Sequence, residues 1–320
     1  MSKDIRFYDF DFNLVHILPE SAADIGYTSM NAVQEFNSSG SLELVFYDSE
    51  LKKKIKDYRC NLLVIWNGFQ GFLTSYIWNT QYKVMGMHLN GLLHRAVIPT
   101  AETLSGTVEE LARSAISKNI PWLTLGEEKG FTTNVEYTTK KYLTADEYIQ
   151  DLLDMDNAGY KIFADIPNKK LVFECIKPSE NRIMFSEENL NAYDFEQSYI
   201  NKELAFGGWF LKEQTDDEGN ALDPIWTYIT TDDAKEGIYK IDTVLSANTK
   251  TEALEELKQF KSDQETLFKI RNSSYGTDYD LGDIVRVQNN GITEKKLVSG
   301  INRWQEHEYG EQPILKEWED

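Results

Sequence analysis

Near the N-terminus Tyr8, Phe10, Phe12 and Leu14 alternate with Asp9, Asp11 and Asn13, the period of two expected when one face of a strand is buried and the other is wet. The apolar phase then slips to Val15 and Ile17, which predicts a turn or bulge around Asn13 and hence a hairpin. After a polar stretch ending in Asn37-Ser38-Ser39-Gly40, alternation resumes at Leu42, Leu44 and Phe46, and the basic segment Leu51 to Lys56 predicts one helical turn or two. Leu62 to Trp66 reads as a buried strand, Asn67-Gly68 as a tight turn, Phe72 to Trp78 as its partner, and Tyr82 to Leu89 as another strand of the same sheet. Residues 1–98 are therefore expected to form a small antiparallel barrel or rolled sheet.

A second region opens at Pro99. Thr107 with Glu110 spells a capping box, and Val108, Leu111, Ala112, Ala115 and Ile116 fall on one face of the helix that follows. Thr144 and Glu147 repeat this for a second helix with Ala145, Tyr148, Ile149, Leu152 and Leu153 on its stripe. Past Asn157-Ala158-Gly159, the positions Tyr160, Ile162 and Ala164 are expected to pair with Leu171, Phe173 and Cys175 across a Pro167-Asn168 turn. Beyond Pro178 a polar stretch leads to the apolar Leu204 to Leu211. Thr215 to Asp223 reads as an acidic loop, and Thr249 with Glu252 caps a third helix bearing Ala253, Leu254, Leu257 and Phe260. Ile284, Val285 and Val287 run into the turn Asn289-Asn290-Gly291, and the chain returns through Lys296 to Ile301. Scattered short strands with a few helices make an α+β fold with barrel-like parts.

Composition narrows the function more than the fold. The chain has 320 residues, 41% of them hydrophobic, and sets 33 Lys+Arg against 53 Asp+Glu, a net charge of −20. A surface of that sign repels phosphates, which excludes nucleic-acid binding through a basic face. Seventeen Tyr, 16 Phe and 7 Trp favour pleated surfaces and interfaces over a helical array. No basic segment followed by an apolar one opens the chain, and the longest apolar run, Leu62 to Trp66, is far too short to span a bilayer, so neither a signal peptide nor a membrane span is expected. Cys60 and Cys175 are far apart, suit neither a disulfide framework nor a zinc knuckle, and are expected to be buried and reduced.

The residues that imitate chemistry lack its remaining parts. Asp9, Asp11, Asn13 and Glu20 stand at positions 1, 3, 5 and 12 of a calcium loop, but Leu14 occupies the position that needs glycine. The same Asp-x-Asp imitates a haloacid-dehalogenase-type phosphatase, whose alternating strands and helices do not follow. His16, His88, His94 and His307 offer no i, i+4 ligand pair, and His88 and His94 read as ordinary surface or interface histidines. Gly68-Phe69-Gln70-Gly71 lacks the lysine of a phosphate loop. The pairs Glu127-Glu128 and Glu187-Glu188 do not identify a glycosidase, and Asp216-Asp217-Glu218-Gly219 reads as a solvated hairpin tip. No catalytic, cofactor-binding or metal-binding residue is assigned.

Several segments in order resemble the baseplate hub or tail-tip hub proteins of long-tailed bacteriophages and phage-tail-like particles, particularly the hub region of tail-associated lysins of Gram-positive hosts. Ile5 to Leu14 is similar to the first hairpin of that family, and Ser39-Gly40-Ser41-Leu42-Glu43-Leu44 to its next strand. The Thr144 helix with the hairpin Tyr160 to Cys175 resembles the inserted module. Phe185 to Leu190, Tyr199-Ile200-Asn201 and Phe206-Gly207-Gly208 resemble the return to the barrel. The most specific segment is Asp278-Tyr279-Asp280-Leu281-Gly282-Asp283-Ile284-Val285, a glycine-aspartate turn entering a strand.

This resemblance implies two small antiparallel β-barrel domains per chain that form a tube ring, with helix-containing insertions. Residues 1–98 would be the N-terminal barrel, 99–180 the helix-plus-hairpin module, 181–248 a return segment completing the barrels, and 249–320 the helix and hairpin of the second barrel. It implies a homotrimer without catalytic activity in a virion tail or tail-like particle assembled in the bacterial cytoplasm. The trimer would adapt a sixfold tail tube to a threefold tip and form part of the DNA channel. Its implied partners are the tail tube or distal tail protein, the tape-measure protein and a separate spike, since the sequence stops at Asp320, soon after the terminal hairpin. The alternatives are a cell-wall hydrolase or acid-based phosphatase, and a carbohydrate-binding tail component whose Trp and Tyr stack on sugars.

Overall fold

The N-terminal alternation folds as the strand Ile5–Tyr8 against Leu14–Leu18, in the register Ile5↔Leu18 and Arg6↔Ile17. The strand is shorter than its alternation suggested, because Asp9 claims the backbone for a turn. Asp9 Oδ1 accepts from the N–H of Asp11 at 3.0 Å and of Asn13 at 2.8 Å, and Phe12 takes a φ of +62°. The computed structural model describes residues 4–20, 26–99, 103–138, 143–200, 205–215, 221–231, 236–237, 240–247, 249–257, 260, 263–270, 273–306 and 308–318. By internal contacts the chain divides into two compact units, Met1–Phe195 with Leu267–Asp320, and Glu196–Thr266.

An 11-stranded sheet dominates the first unit. From one edge its order is Ser179–Phe185, Asp283–Asn289, Ile292–Gln305, Tyr27–Glu35, Ser41–Phe46, Tyr82–His88, Phe69–Trp78, Leu63–Trp66, Ile5–Tyr8 and Leu14–Leu18, with Tyr309–Glu317 also paired to Ile292–Gln305. The hairpin turn between Leu63–Trp66 and Phe69–Trp78 is the predicted Asn67-Gly68, both at positive φ (+43° and +83°), the conformation that twists with the flanking strands. The predicted terminal turn likewise places Asn290 and Gly291 at positive φ.

Ile292–Gln305 makes this one sheet. Its first half pairs with Asp283–Asn289, and its second half, from Gly300↔Glu35 to Gln305↔Met30, pairs with Tyr27–Glu35. The path therefore has two separate ends, and closure into two barrels is not among the described pairings. Phe7, Phe46, Trp66 and Phe69 lead an apolar cluster under the N-terminal strands, covered by Leu51 and Ile55 of the helix Ser49–Asp57. That helix starts at Asp48, whose Oδ1 accepts from the Leu51 N–H at 2.8 Å. Phe185, Tyr279, Val285 and Ile301 lead a second cluster under the C-terminal strands.

Both predicted capping boxes form. Thr107 N–H donates to Glu110 Oε2 at 3.0 Å while Glu110 N–H donates to Thr107 Oγ1 at 3.2 Å, opening the helix Val108–Asn119. Glu147 Oε2 accepts from both the N–H and the hydroxyl of Thr144 ahead of Ala145–Asp154. The predicted hairpin pairs Tyr160↔Cys175, Ile162↔Phe173 and Ala164↔Leu171, and its apolar face packs with Ile116, Ile149, Leu152 and Leu153 of the two helices.

In the second unit, Gly207–Thr215 lies between Ala221–Thr230 and Asp242–Val244. The helix Lys250–Leu257 packs Ala253 and Leu257 against Phe210, Ile229 and Leu245. Thr249 caps it, accepting from the Glu252 N–H at 3.2 Å.

Candidate functional site

Asp9 and three of the histidines, among the residues that imitate catalytic or metal chemistry, serve local structure. Asp9 holds its own turn, with Asn13 Nδ2 also donating to Asp9 Oδ2 at 3.1 Å. His16 Nε2 lies 3.0 Å from Asp48 Oδ2, so this histidine braces a helix cap. His94 Nδ1 lies 3.0 Å from Asp146 Oδ2 in the first turn of another helix. His88 is a correction to the surface reading: it is buried, its Nδ1 accepts from the Asn90 N–H at 3.3 Å, and burial, with Arg303 adding to it, pushes its pKa down to about 3. A neutral His88 caps the short helix Leu89–Arg95.

Glu127 and Glu128 are exposed, and Glu128 pairs loosely with Arg113. Glu187 and Glu188 lie exposed in a turn. Cys60 and Cys175 are buried free thiols, and burial pushes Cys175 up to about 12. His307 and Asp216 to Gly219, expected as a hairpin tip, lie outside the described residues. Among the described residues no three His, Cys, Asp or Glu side chains group as a metal site, and no helix is long and apolar enough to cross a membrane.

The glycine-aspartate turn is where the distant parts of the chain meet. Gly282, at φ +85°, donates to Val298 O at 3.0 Å and accepts from the Ser179 N–H at 3.1 Å. Asp283 Oδ2 accepts from the Asp280 N–H at 2.8 Å and from Asn181 Nδ2 at 2.6 Å. The turn thus seats the outer strand Ser179–Phe185 parallel to Asp283–Asn289. Sequence reasoning had the turn but not its partner, since parallel pairing across a hundred residues leaves no local period.

Two buried polar groups were not singled out in the sequence. Arg303, 1% exposed, donates from Nε to Glu311 Oε2 at 3.2 Å, and the Tyr309 hydroxyl donates to the same oxygen at 3.0 Å. Glu109, 4% exposed, accepts from the N–H groups of Lys129, Gly130 and Phe131 at 2.6, 2.9 and 3.3 Å.

Several large apolar side chains are exposed to solvent. The outermost strand Leu14–Leu18 exposes Leu14 and Ile17. In the second unit the register Val244↔Trp209↔Tyr228 and Leu211↔Trp226 puts five apolar or aromatic side chains on the sheet face opposite Phe210. Trp209, Leu211, Trp226 and Val244 are all exposed there, with the Trp209 and Tyr228 rings 4.9 Å apart.

No family model and no curated protein matches the chain. Solved structures do. The tail protein from Neisseria meningitidis MC58 superposes with a TM-score of 0.57 at 12% identity, covering 99% of this chain and 97% of its own. The 43 kDa tail protein of prophage MuSo2 from Shewanella oneidensis gives 0.56 at 13% identity, covering 98% and 97%. Prophage tail protein gp18 from Listeria monocytogenes EGD-e gives 0.51 at 17% identity, covering 98% and 94%. From its first hairpin to its last strand, this chain has the fold of phage tail proteins, the group that its sequence resembles.

Proposed function

We propose that the chain is the structural hub of a phage tail or tail-like particle. In this reading three copies close into a ring that adapts the sixfold tail tube to a threefold tip or spike and encloses part of the DNA channel, with no catalysis in the chain itself. The observation that carries it is likeness to tail proteins over nearly the full length of both partners.

A threefold ring that meets a sixfold tube needs two similar units per chain. The sheet supports this with two halves, each over its own apolar cluster, joined where Ile292–Gln305 pairs with Tyr27–Glu35. Residues 1–98 and the C-terminal strands from Asp283 would supply the two barrel-like tube domains and 99–180 the inserted module, while the helix Lys250–Leu257, expected with the second barrel, packs instead within the unit Glu196–Thr266. The charge of −20 suits a conduit through which DNA slides without sticking. The tail tube or distal tail protein, the tape-measure protein and a separate spike would be its partners in the virion.

Light scattering on the purified chain, alone and with the tail-tube protein, tests this. A trimer, or association that requires the tube protein, is expected; a monomer that digests wall material would overturn the reading. The second reading, a carbohydrate-binding tail component, draws on the Trp209, Tyr228 and Trp226 face, since exposed aromatic rings stack on sugars. Glycan binding by a stable monomer would favour it.

A further inference from the structure

In a chain with twenty more acids than bases, three lysines converge on one cleft. The hairpin sets Lys161 directly across from Glu174, and the loop after Leu123–Leu125 brings Lys129 to the same side chain. Both ammonium groups lie 3.4 Å from Glu174 Oε2, and Glu174 is 8% exposed. Lys177 stands beside them, its Nζ donating to Gly130 O at 3.2 Å and lying 5.5 Å from the centre of the Phe131 ring. With Ile176, Tyr275, Asp280 and Leu281 these lysines line a cleft of about 260 Å³.

The charges there do not cancel. Two lysines share one carboxylate oxygen at distances longer than a charge-assisted hydrogen bond of about 2.8 Å. Asp280, the other acid of the cleft, already accepts from the Leu281 N–H at 2.7 Å. Three ammonium groups thus stand at this cleft against two carboxylates. The arrangement is also held in place. Glu109 fixes the backbone of Lys129, Gly130 and Phe131, and strand pairing fixes Lys161. The apolar walls, Ile176, Tyr275 and Leu281, suit an anion carried on a hydrocarbon stem better than a bare oxyanion, which would leave them wet.

We propose that this cleft binds a glutamate-bearing, acidic segment of another protein, its carboxylate received by Lys129, Lys161 and Lys177 and its methylenes by Ile176 and Leu281. The full-length chain is titrated into a fluorescein-labelled hexaglutamate peptide at low salt and followed by anisotropy. Saturable binding is expected, weakening with added salt and falling at least tenfold in Lys161→Gln. Lys177→Gln, which leaves both ion pairs of Glu174 intact and so should not disturb folding, is expected to weaken it at least threefold. The pair Lys53→Gln and Lys56→Gln, on the helix Ser49–Asp57, is expected to leave it unchanged. Absence of saturable binding, equal loss in the Lys53 and Lys56 control, or binding of inorganic phosphate without binding of the peptide would overturn the proposal.

Discussion

Asn90 Oδ1 accepts from the backbone N–H of Ile162 at 2.7 Å, joining the end of the strand Tyr82–His88 to a hairpin 72 residues later. The same fully buried amide donates from Nδ2 to Ser38 O at 3.1 Å and Tyr160 O at 3.2 Å, so one side chain ties the large sheet to the helix-plus-hairpin region. Asn90→Ala leaves these groups buried and unpaired and is expected to lower the unfolding free energy by about 3 kcal/mol. Asn90→Asp should be at least as harmful, because a carboxylate cannot donate to two carbonyls. Urea denaturation checks both, and a midpoint unchanged in either variant would contradict the assignment.

Gly282 is required twice over in the glycine-aspartate turn. Its φ is +85°, and a Cβ there would stand 2.7 Å from Ile176 Cγ2 and 2.9 Å from Phe36 Cε2. Gly282→Ala is expected to cost about 2 kcal/mol from overpacking and the left-handed backbone together. Gly291→Ala, also at positive φ but with open space around it, should cost less. Thermal unfolding of the two variants side by side measures the difference.

Glu311 gathers the donors of the C-terminal core. Arg303 Nε, the Tyr309 hydroxyl and, at 3.4 Å, the Tyr279 hydroxyl all reach its carboxylate, while the Arg303 guanidinium lies 4.5 Å from the Tyr275 ring. Burial first, and then the Glu311 charge, raise the Tyr279 and Tyr309 hydroxyls, which stay protonated donors. Glu311→Ala leaves Arg303 buried without its counter-charge and is expected to destabilise by about 3 kcal/mol. Arg303→Met with Glu311→Leu, which removes both charges, should recover much of that loss in the same denaturation assay.

His88 gives stability a pH dependence of known sign. Its folded pKa is about 3, held down by burial and then by Arg303, against about 6.5 when unfolded. Between those values the unfolded chain binds a proton that the folded chain does not, so stability falls with acidification by up to about 1.4 kcal/mol per pH unit. His88→Asn keeps a capping acceptor and removes that slope. The gap in unfolding free energy between wild type and variant should therefore shift steadily in favour of the variant from pH 6 to pH 4, and a constant gap would contradict the buried neutral imidazole.

The local grammar of this fold was legible, and its long-range joins were not. Thr107 with Glu110 and Thr144 with Glu147 declared their helices, and the alternation at Tyr160, Ile162 and Ala164 gave the hairpin in its observed register. Tyr27–Glu35 read as polar because the inward face of this central strand carries Met30, Ala32 and Gln34, in which a small and a polar side chain dilute the period of two. Ser179–Phe185 was missed in the same way, since only Phe185 is buried along it. The helix Leu89–Arg95 was not expected after the strand Tyr82 to Leu89, and Asn90 within it is buried as a hydrogen-bond hub. The pairing of Ile292–Gln305 with Tyr27–Glu35, which joins the two regions expected as barrels in one sheet, depends on contacts that no local pattern encodes. Asp9, His16, His88 and His94 were legible as residues, but only the structure showed them bound to a turn or a helix cap.

Counting the copies of this chain in intact tails, by cryo-electron microscopy of purified particles, tests the hub reading most directly. Three copies in a ring coaxial with the tail tube and above the tip are the predicted result. Particles that assemble and inject without the chain, or a copy number that does not fit threefold symmetry, would contradict it.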